Sequence, residues 1–420
     1  MMTQAFYSGI SGIKTYSTSI DVVSDNLANI STVGFRGYSA EFSSLFEEQL
    51  QTTNSLASFD DTVGIGTKIQ STAMLQATGT FMQSDKSTDL AINGNGWFAI
   101  QGYDSPIYTR DGNFNFDKNR DLVNKDGLYV LGTVANNISA DNILTKQQNS
   151  TPLGDVTQQQ KLRFPETLTY PSEATTQASF YSNLGVEDTT RTISTTVVNA
   201  QGEKRALRLE FNKVPTQTSN GLQWNVKATI QSLDNETVYS SQNGTLSFSP
   251  EGALIANTLT DIDNDGTKID IDLGNDYSGI VSINTPVVSG SSKTNGTIGG
   301  DLVGYEINSD AEILATFSNG MQSSIGRVGV FHFKNEQGLE RISGSMFKES
   351  VNSGNPLFYK DAKGDNIIGT GIMNHRLEGS NYSLEVGLTD LIIYQRAYDA
   401  NSKSISTADE MMQKALSMDA

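Results

Sequence analysis

The chain has 420 residues, a formal net charge of −18 and no cysteine. This length suffices for two or three domains, and the absence of cysteine excludes disulfides, thiolate metal sites and thiol nucleophiles. The acidity argues against wrapping nucleic acid or inserting at an anionic membrane, since both need clustered Lys and Arg.

The first predicted element is an amphipathic helix over residues 6–30. Its apolar residues recur at steps of three and four, averaging roughly 3.4, close to a coiled-coil seam. They are Phe6, Ile10, Ile13, Tyr16, Ile20, Val23, Leu27 and Ile30. The segment lacks a basic region followed by an uninterrupted apolar core, so we do not expect a cleaved secretory signal. We also expect no membrane span, because no run of about 18 apolar residues occurs.

Beyond this helix the pattern changes to strands and turns. Gly34 and Gly37 should end the helix, and the polar stretch that follows predicts an extended connector over 41–72. From Met74 to Gly132, alternation predicts short antiparallel strands joined by glycine-containing turns. The clearest strands are Asp89–Ile92, Trp97–Ile100 and Gly127–Leu131, with turns at Asn93–Gly96 and Asp111–Gly112.

A central region, 149–295, is richer in Thr, Ser and Asn and is predicted to be an inserted β-domain. Its strand-like runs are Thr192–Val198, Ala206–Phe211, Trp224–Ile230 and Gly279–Ile283. Strand and turn spacing resumes at Asp301–Ile307 and continues to about residue 370.

The last predicted element is a second amphipathic helix, over residues 384–418. Its apolar positions are Leu384, Leu388, Leu391, Tyr394, Tyr398, Ile405, Ala408, Met412, Ala415 and Met418. Asn401 fills the one gap in this row, where a polar residue commonly fixes helix register.

These elements predict an α+β fold, mainly β, with nested discontinuous domains. The terminal helices, 1–40 with 375–420, should form a coiled coil. An inner β-domain, 73–148 with 296–374, and the outer insert should be barrel- or sandwich-like. Two amphipathic terminal helices on either side of a β-rich centre favour a subunit of an assembly over an enzyme. The assembly seam would comprise Phe6, Ile10, Ile13, Ile20, Leu27, Leu384, Leu388, Leu391, Tyr398, Ile405 and Met412.

Four sequence blocks, in order, resemble the bacterial flagellar rod and hook family. The first, residues 25–36, contains the signature positions Asn26, Asn29, Gly34 and Phe35. The other three blocks are Asp89–Phe98, Tyr108–Phe114, and Leu377–Asn381 together with Gln395–Tyr398. The resemblance covers residues 1 to about 135 and about 299 to 420.

Within that family, 300–305 and 331–339 are most similar to hook proteins, and the long central insert also favours them. The resemblance implies a structural subunit that polymerises through its terminal helices into a curved, flexible tube transmitting torque from rod to filament. A distal rod or hook-like axial subunit is the near alternative. The implied partners are further copies of the chain, the rod, hook-cap and hook–filament junction proteins, and the flagellar type III export apparatus. The implied location is extracellular, on the flagellum.

An export motif is a further implication of the resemblance. Phe42 and Phe46 match the short Phe-x-x-x-apolar pattern of early rod and hook substrates. Alternatively, the two are one-turn neighbours on a short helix that packs into a core.

One acidic segment resembles a calcium loop. Asp261, Asp263 and Asp265 alternate, Gly266 takes the sixth position and Asp272 the twelfth, as oxygen ligation of a hard cation requires. The final Asp is shorter than the usual Glu, so an acidic hairpin turn is the favoured interpretation. We expect no other cofactor.

Catalysis finds little support in the sequence. His332 and His375 lie outside any nucleophile or metal pattern, and both are interpreted as structural. Trp97 and Trp224 could stack on carbohydrate in an adhesin, which is the competing hypothesis, but an adhesin needs no matched terminal helices.

Overall fold

The computed structural model describes residues 2–45, 48–49, 62–63, 66–215, 221–285 and 290–418. It is mainly β with two terminal helices packed on each other, as predicted. Helix α1 spans Met2–Ala28 and helix α2 spans Leu384–Met418. Helix α1 therefore begins before the predicted seam and ends two residues earlier than predicted, so that Ile30 lies in the following turn. Neither helix has an apolar stretch of the length a bilayer crossing needs.

Strands are numbered in chain order. Before the insert they are β1 Tyr38–Ser44, β2 Glu48–Gln49, β3 Thr62–Val63, β4 Thr67–Met74, β5 Phe81–Gln83, β6 Leu90–Asn93, β7 Trp97–Ile100, β8 Ile107–Thr109, β9 Phe114–Phe116, β10 Leu122–Asn124, β11 Leu131–Val134, β12 Gln160–Lys161 and β13 Thr169–Tyr170. In the insert they are β14 Gln177–Asn183, β15 Thr190–Val198, β16 Lys204–Lys213, β17 Leu222–Gln231, β18 Val238–Phe248, β19 Leu254–Asn257, β20 Asp261–Asn264, β21 Thr267–Asp272, β22 Gly274–Asn275, β23 Ser278–Val281 and β24 Ser291–Thr294. After it they are β25 Gly300–Ile307, β26 Glu312–Phe317, β27 Gln322–Val328, β28 Val330–Phe331, β29 Glu340–Ser343, β30 Met346–Lys348, β31 Tyr359–Lys360, β32 Asn366–Ile367, β33 Gly371–Asn374 and β34 Arg376–Glu378. Short 3-10 turns occur at Val156–Gln158 and Glu336–Gly338.

The inner β-region draws its strands from both sides of the insert. One sheet has the order β12-β11-β27-β26-β25-β13, and another has the order β28-β7-β8-β30-β29. Strands β6 and β5 pair with β33 and β34, close to the start of α2. All of these strands enclose one apolar core, which includes Trp97, Phe98, Phe114 and Phe331.

The outer β-region has a separate core, made of residues between Ala178 and Ile280. Its long strands β15 to β18 form an antiparallel sheet in sequence order, extended by β19. In β17, Trp224, Val226, Ala228 and Ile230 are buried while the residues between them are more exposed. This two-residue period turns one face of the sheet to the core.

The inner and outer regions are joined by two antiparallel chain segments. Glu173 and Thr297 exchange backbone hydrogen bonds of 2.8 and 2.9 Å. The insert therefore leaves and returns at a single two-stranded neck. Residues 149–172, which fall within the predicted range 149–295 of the insert, belong to the inner region, since β12 and β13 pair in the inner sheet.

Two predicted stretches differ in detail. The run Gly127–Leu131 becomes a strand only from Leu131, because residues 125–127 form a turn before it. In the predicted connector, 41–72, both ends belong to strands, since β1 pairs with β4. Polar side chains concealed this pairing, because the two strands are largely exposed on both faces.

Candidate functional site: the paired terminal helices and their joint to the β-region

The terminal helices run antiparallel and approach most closely where α1 carries glycine. A Cβ atom built on Gly9 would lie 2.7 Å from Cγ1 of Ile405, and one on Gly12 would lie 2.5 Å from Oδ1 of Asn401. At the other end, a Cβ on Gly387 would lie 3.0 Å from Leu27. Any larger side chain at these positions would push the helices apart.

Small and polar residues continue this buried face along α1. Thr15 and Ser19 are buried, and each donates its hydroxyl to the backbone carbonyl four residues earlier, at 2.8 and 3.0 Å. Val23 and Asn26 complete the face. The contact between the two helices thus uses little of the apolar surface that the sequence offers.

Some of the predicted seam residues are partly buried next to this contact, and others are exposed. Leu27, Leu391, Ile405 and Met412 are partly buried, as are Phe6, Ile13 and Ile20. Several others are exposed by more than a third of their area: Ile10, Leu384, Leu388 and Tyr398, together with Tyr7, Val386, Ile392, Ile393, Met411 and Leu416. Large apolar side chains therefore remain exposed on both helices, most of them on α2.

The hairpin β1–β4 packs against both helices. The ring of Phe42 lies 5.7 Å from Tyr16 of α1 and 6.0 Å from Tyr394 of α2. Thr67 donates its backbone N–H to Oγ of Ser11 at 3.2 Å. Phe42 is thus a strand residue and not part of the short helix considered above, while Phe46 lies outside the described residues.

Side-chain amides hold the chain where the helices join the β-region. Asn26 donates to the carbonyl of Tyr38 at 2.7 Å and accepts from its N–H at 2.9 Å. Gln337 makes the same paired contacts with Met74, at 2.7 and 2.8 Å. Asn381 accepts from Gly37 at 2.8 Å. Each amide replaces a neighbouring strand, so the buried backbone keeps its hydrogen bonds.

The remaining signature residues shape the turn after α1. Gly34 has a φ of +67°, and a Cβ there would lie 2.4 Å from the backbone nitrogen of Asp111, so only glycine fits. Phe35 is 1% exposed, and the guanidinium of Arg341 lies 5.1 Å above its ring. Asn29 caps the end of the helix by donating to the carbonyl of Asp25.

A buried ion network lies beneath this turn. Glu378 contacts Arg36 at 3.3 Å through Oε1 and Arg110 at 3.1 Å through Oε2. All three side chains are at most 3% exposed. Glu378 also accepts from the N–H of Gly79 at 3.0 Å, and its carbonyl accepts from Gly34 at 2.7 Å. Three chain segments distant in sequence thus meet at one carboxylate.

Burial shifts the pKa values of charged groups in and around this network. It lowers the pKa of Arg110 to about 10, with the nearby Arg36 adding to the effect and Glu378 opposing it. Burial also raises the pKa of Glu336, while Arg110 and Arg36 oppose that rise. Both arginines remain charged at neutral pH, and the Glu378 carboxylate lies between them as their shared partner.

The acidic segment resembling a calcium loop forms the hairpin β20–β21. Asp261 contacts Lys268 at 2.8 Å and Asp265 contacts Arg205 at 3.1 Å. Asp272 accepts from the N–H of Gly274 at 2.9 Å, and Asp263 accepts weakly from Gly266. Among the described residues no group of three or more His, Cys, Asp or Glu is arranged to hold a metal ion. Calcium binding here stays a prediction.

The residues considered for catalysis or sugar stacking lie in other settings. Trp97 and Trp224 are at most 1% exposed, so neither ring is open to a carbohydrate. His332 is also 1% exposed, and Nε2 lies 2.5 Å from the carbonyl of Ile368. His375 is exposed.

Three family models match separate parts of the chain. Residues 6–36 match "Flagella basal body rod protein", residues 91–169 match "Flagellar hook protein FlgE/F/G D1 domain", and residues 373–418 match "Flagellar basal body rod FlgEFG protein C-terminal". These ranges include the helix pair and its joint.

Relatives that are similar over the whole length include several described as flagellar hook protein FlgE. The chain is 28% identical to that of Escherichia coli K12, covering 97% of this chain and 98% of the relative. It is 27% identical to that of Salmonella typhimurium LT2, with the same coverage, and 26% identical to that of Borreliella burgdorferi, covering 98% and 99%. The crystal structure of Helicobacter pylori hook protein FlgE2 has a similar fold, with a TM-score of 0.52 and 16% identity, covering 71% of this chain and 100% of that chain.

Proposed function

Because this chain belongs to the flagellar hook protein family, we propose that its paired terminal helices are the surface through which copies polymerise into the hook. The chain is a structural subunit of the flagellar hook and not an enzyme. The observation that carries the proposal is the exposed apolar surface on the outer sides of α1 and α2. An accumulation of exposed large apolar side chains on two paired helices favours an interaction site.

The mechanism follows from the two kinds of contact in the subunit. Helices with apolar outer sides would pack tightly around the tube axis, and contacts that repeat without closing generate a filament. The β-regions would form outer shells with more polar contacts, which can slide as the tube bends. We propose that the inner contacts transmit torque from rod to filament and the outer ones supply flexibility.

Substitutions on α2 test polymerisation directly. Ile392 and Ile393 are 51% and 53% exposed, so Asp at both positions should leave the subunit folded but abolish hooks. The readout is electron microscopy of hooks on cells that carry only the variant, with circular dichroism of the purified chain as a folding check. The matched control, Ile392→Leu with Ile393→Val, keeps the surface apolar and should assemble. Normal hooks with the double Asp variant would contradict the proposal.

The same cells locate the assembly. Immunogold label directed at residues 150–295 should mark a short curved segment between the cell surface and the filament. Label confined to basal structures would favour a rod, and diffuse surface label would favour an adhesin. The rod, the hook cap and the hook–filament junction proteins are the neighbours we propose for the two ends of that segment.

We also propose export through the flagellar type III apparatus, with Phe42 and Phe46 as the recognition motif. Phe42 also belongs to the aromatic trio with Tyr16 and Tyr394. Two variants separate these roles, since Phe42→Ala removes both motif and trio, whereas Tyr394→Ala removes the trio alone. Secretion into the medium should fall only for Phe42→Ala. Equal secretion by the two variants would reject the motif.

A further inference from the structure

One groove on the described surface lies where α1 leaves the β-region. It has a volume of about 520 Å³ and is bordered by α1, the strands β1 and β4, and the chain around β29. Val22, Tyr38 and Leu339 line it with apolar surface, and Asp21 and Asp25 lie along one side. Asp25 is paired with Arg341 at 2.9 Å. Asp21 is exposed and has no ion-pair or hydrogen-bond partner among the described residues. The groove therefore suits apolar side chains followed by a cation.

Helix α2 presents a row with that composition. Leu388, Ile392 and Arg396 are spaced by four residues and therefore lie along one side of the helix. Leu388 is 44% and Ile392 51% exposed, and Arg396 is exposed without an ion pair in the described part of the chain. The row has apolar side chains at one end and a positive charge at the other.

The groove and the row lie on opposite outer sides of the helix pair. Gly12 faces Asn401 across the contact. Asp21 is nine residues after Gly12, and Ile392 is nine residues before Asn401. Nine residues are about two and a half turns, so each points away from the partner helix. Because the helices are antiparallel, the two positions also lie at the same level along the pair.

We propose that the row Leu388–Ile392–Arg396 of one copy docks in this groove of the next copy, with Arg396 paired to Asp21. The inference rests on the proposed polymerisation and names the two surfaces that meet. Different surfaces on opposite sides make a contact that repeats without closing, as a filament requires. The charge pair selects the register of docking, because only one register brings Arg396 to Asp21.

Charge reversal tests the pairing in whole subunits. Asp21→Arg and Arg396→Asp should each abolish hooks, and the chain carrying both changes should regain them. A chain with Glu251→Arg, an exposed acid of the outer region, should assemble normally. If both single variants assemble, or if the double variant fails while its secreted monomer keeps the native circular dichroism spectrum, the pairing is wrong. Polymerisation itself would still be shown by the unchanged chain.

Cysteine cross-linking gives an independent readout, because the chain has no cysteine of its own. Hooks built from the variant Val22→Cys with Ile392→Cys should form a ladder of covalent oligomers on mild oxidation, visible on non-reducing gels. Either single variant should remain monomeric on the same gels. Assembled hooks of the double variant that yield only monomers would overturn the docking while leaving polymerisation intact.

Discussion

Glu378 is the residue on which the joint between the helices and the β-region depends. Its carboxylate is the shared counter-ion of Arg36 and Arg110, and all three side chains are buried. Removing one partner of a buried ion pair costs far more than the pair contributes, because the other charge is left uncompensated.

The variant Glu378→Gln should therefore lower the free energy of unfolding by about 3–5 kcal/mol. The glutamine side chain has the shape of the glutamate and can still accept the hydrogen bond from Gly79, but it carries no negative charge. Urea unfolding of the purified chain, followed by the fluorescence of Trp97 in the inner core and Trp224 in the outer core, measures the loss in the transition that the variant shifts. The control Glu340→Gln alters an exposed acid and should change stability little. A loss below about 1 kcal/mol would mean that the network carries little energy.

His332 makes the stability of the inner region depend on pH. Burial lowers its pKa below the ordinary value of about 6.5, partly opposed by the Ile368 carbonyl, and Nδ1 has no hydrogen-bond partner in the described part of the chain. As the pH falls, the His332 imidazole is therefore protonated near pH 6.5 in the unfolded chain but only at lower pH in the folded chain. Stability present above pH 6.5 should be lost as the pH falls towards the folded pKa.

His332→Gln should reduce this pH dependence, because the variant has no imidazole to take up a proton on unfolding. The measurement is the difference in unfolding midpoint between pH 7.5 and pH 5.5. His375→Gln changes the other, exposed histidine and should behave like the unchanged chain. Identical slopes for both variants would assign the pH dependence to other groups.

At the scale of elements, the sequence predicted the helices well and their contact poorly. Apolar residues at steps of three and four identified both helices, but α1 approaches α2 most closely through Gly9 and Gly12. These small residues are also spaced as neighbours on one side of a helix, and that spacing was the sequence signal from which the contact could have been predicted. The ion network could not be predicted, because no local pattern pairs Arg36, Arg110 and Glu378 across such separations.

The close helix contact makes an unusual prediction for Gly12→Ala. Alanine ordinarily stabilises a helix interior by roughly 1 kcal/mol over glycine. Here the added methyl group meets Asn401 at 2.5 Å, so overpacking of about 1–3 kcal/mol should outweigh that gain. The helical circular dichroism signal should then melt at a lower temperature than in the exposed control Ser17→Ala. A higher melting temperature for Gly12→Ala would show that the Asn401 amide can move aside at little cost.

At the scale of the whole molecule, the proposed division into nested domains depends on the neck at Glu173 and Thr297. The two cores share no buried residue, and the neck brings the two chain segments within hydrogen-bond distance. We expect that replacing residues 175–295 by a short glycine linker leaves the inner region folded.

Calorimetry checks this expectation. The excised chain should retain the unfolding transition of the inner region at an unchanged temperature, and residues 173–297 expressed alone should show the transition of the outer region. Loss of both transitions on excision would mean that the two regions fold as one unit. Cutting instead between β16 and β17, within the outer sheet, should destroy the outer transition and is the matched control.

The joint at Gly37 and Asn381 also governs the order in which the molecule folds. Gly12 and Asn401 are about 390 residues apart along the chain, and closing so long a loop costs conformational entropy. Once the 2.8 Å bond between Gly37 and Asn381 has formed, the free loop shrinks to roughly 45 residues, which lowers the closure cost by about 2 kcal/mol. The helices therefore meet last, after the β-region has folded. Until the helices have paired, a newly made subunit lacks the surface through which copies would associate. Association is therefore delayed until folding is complete.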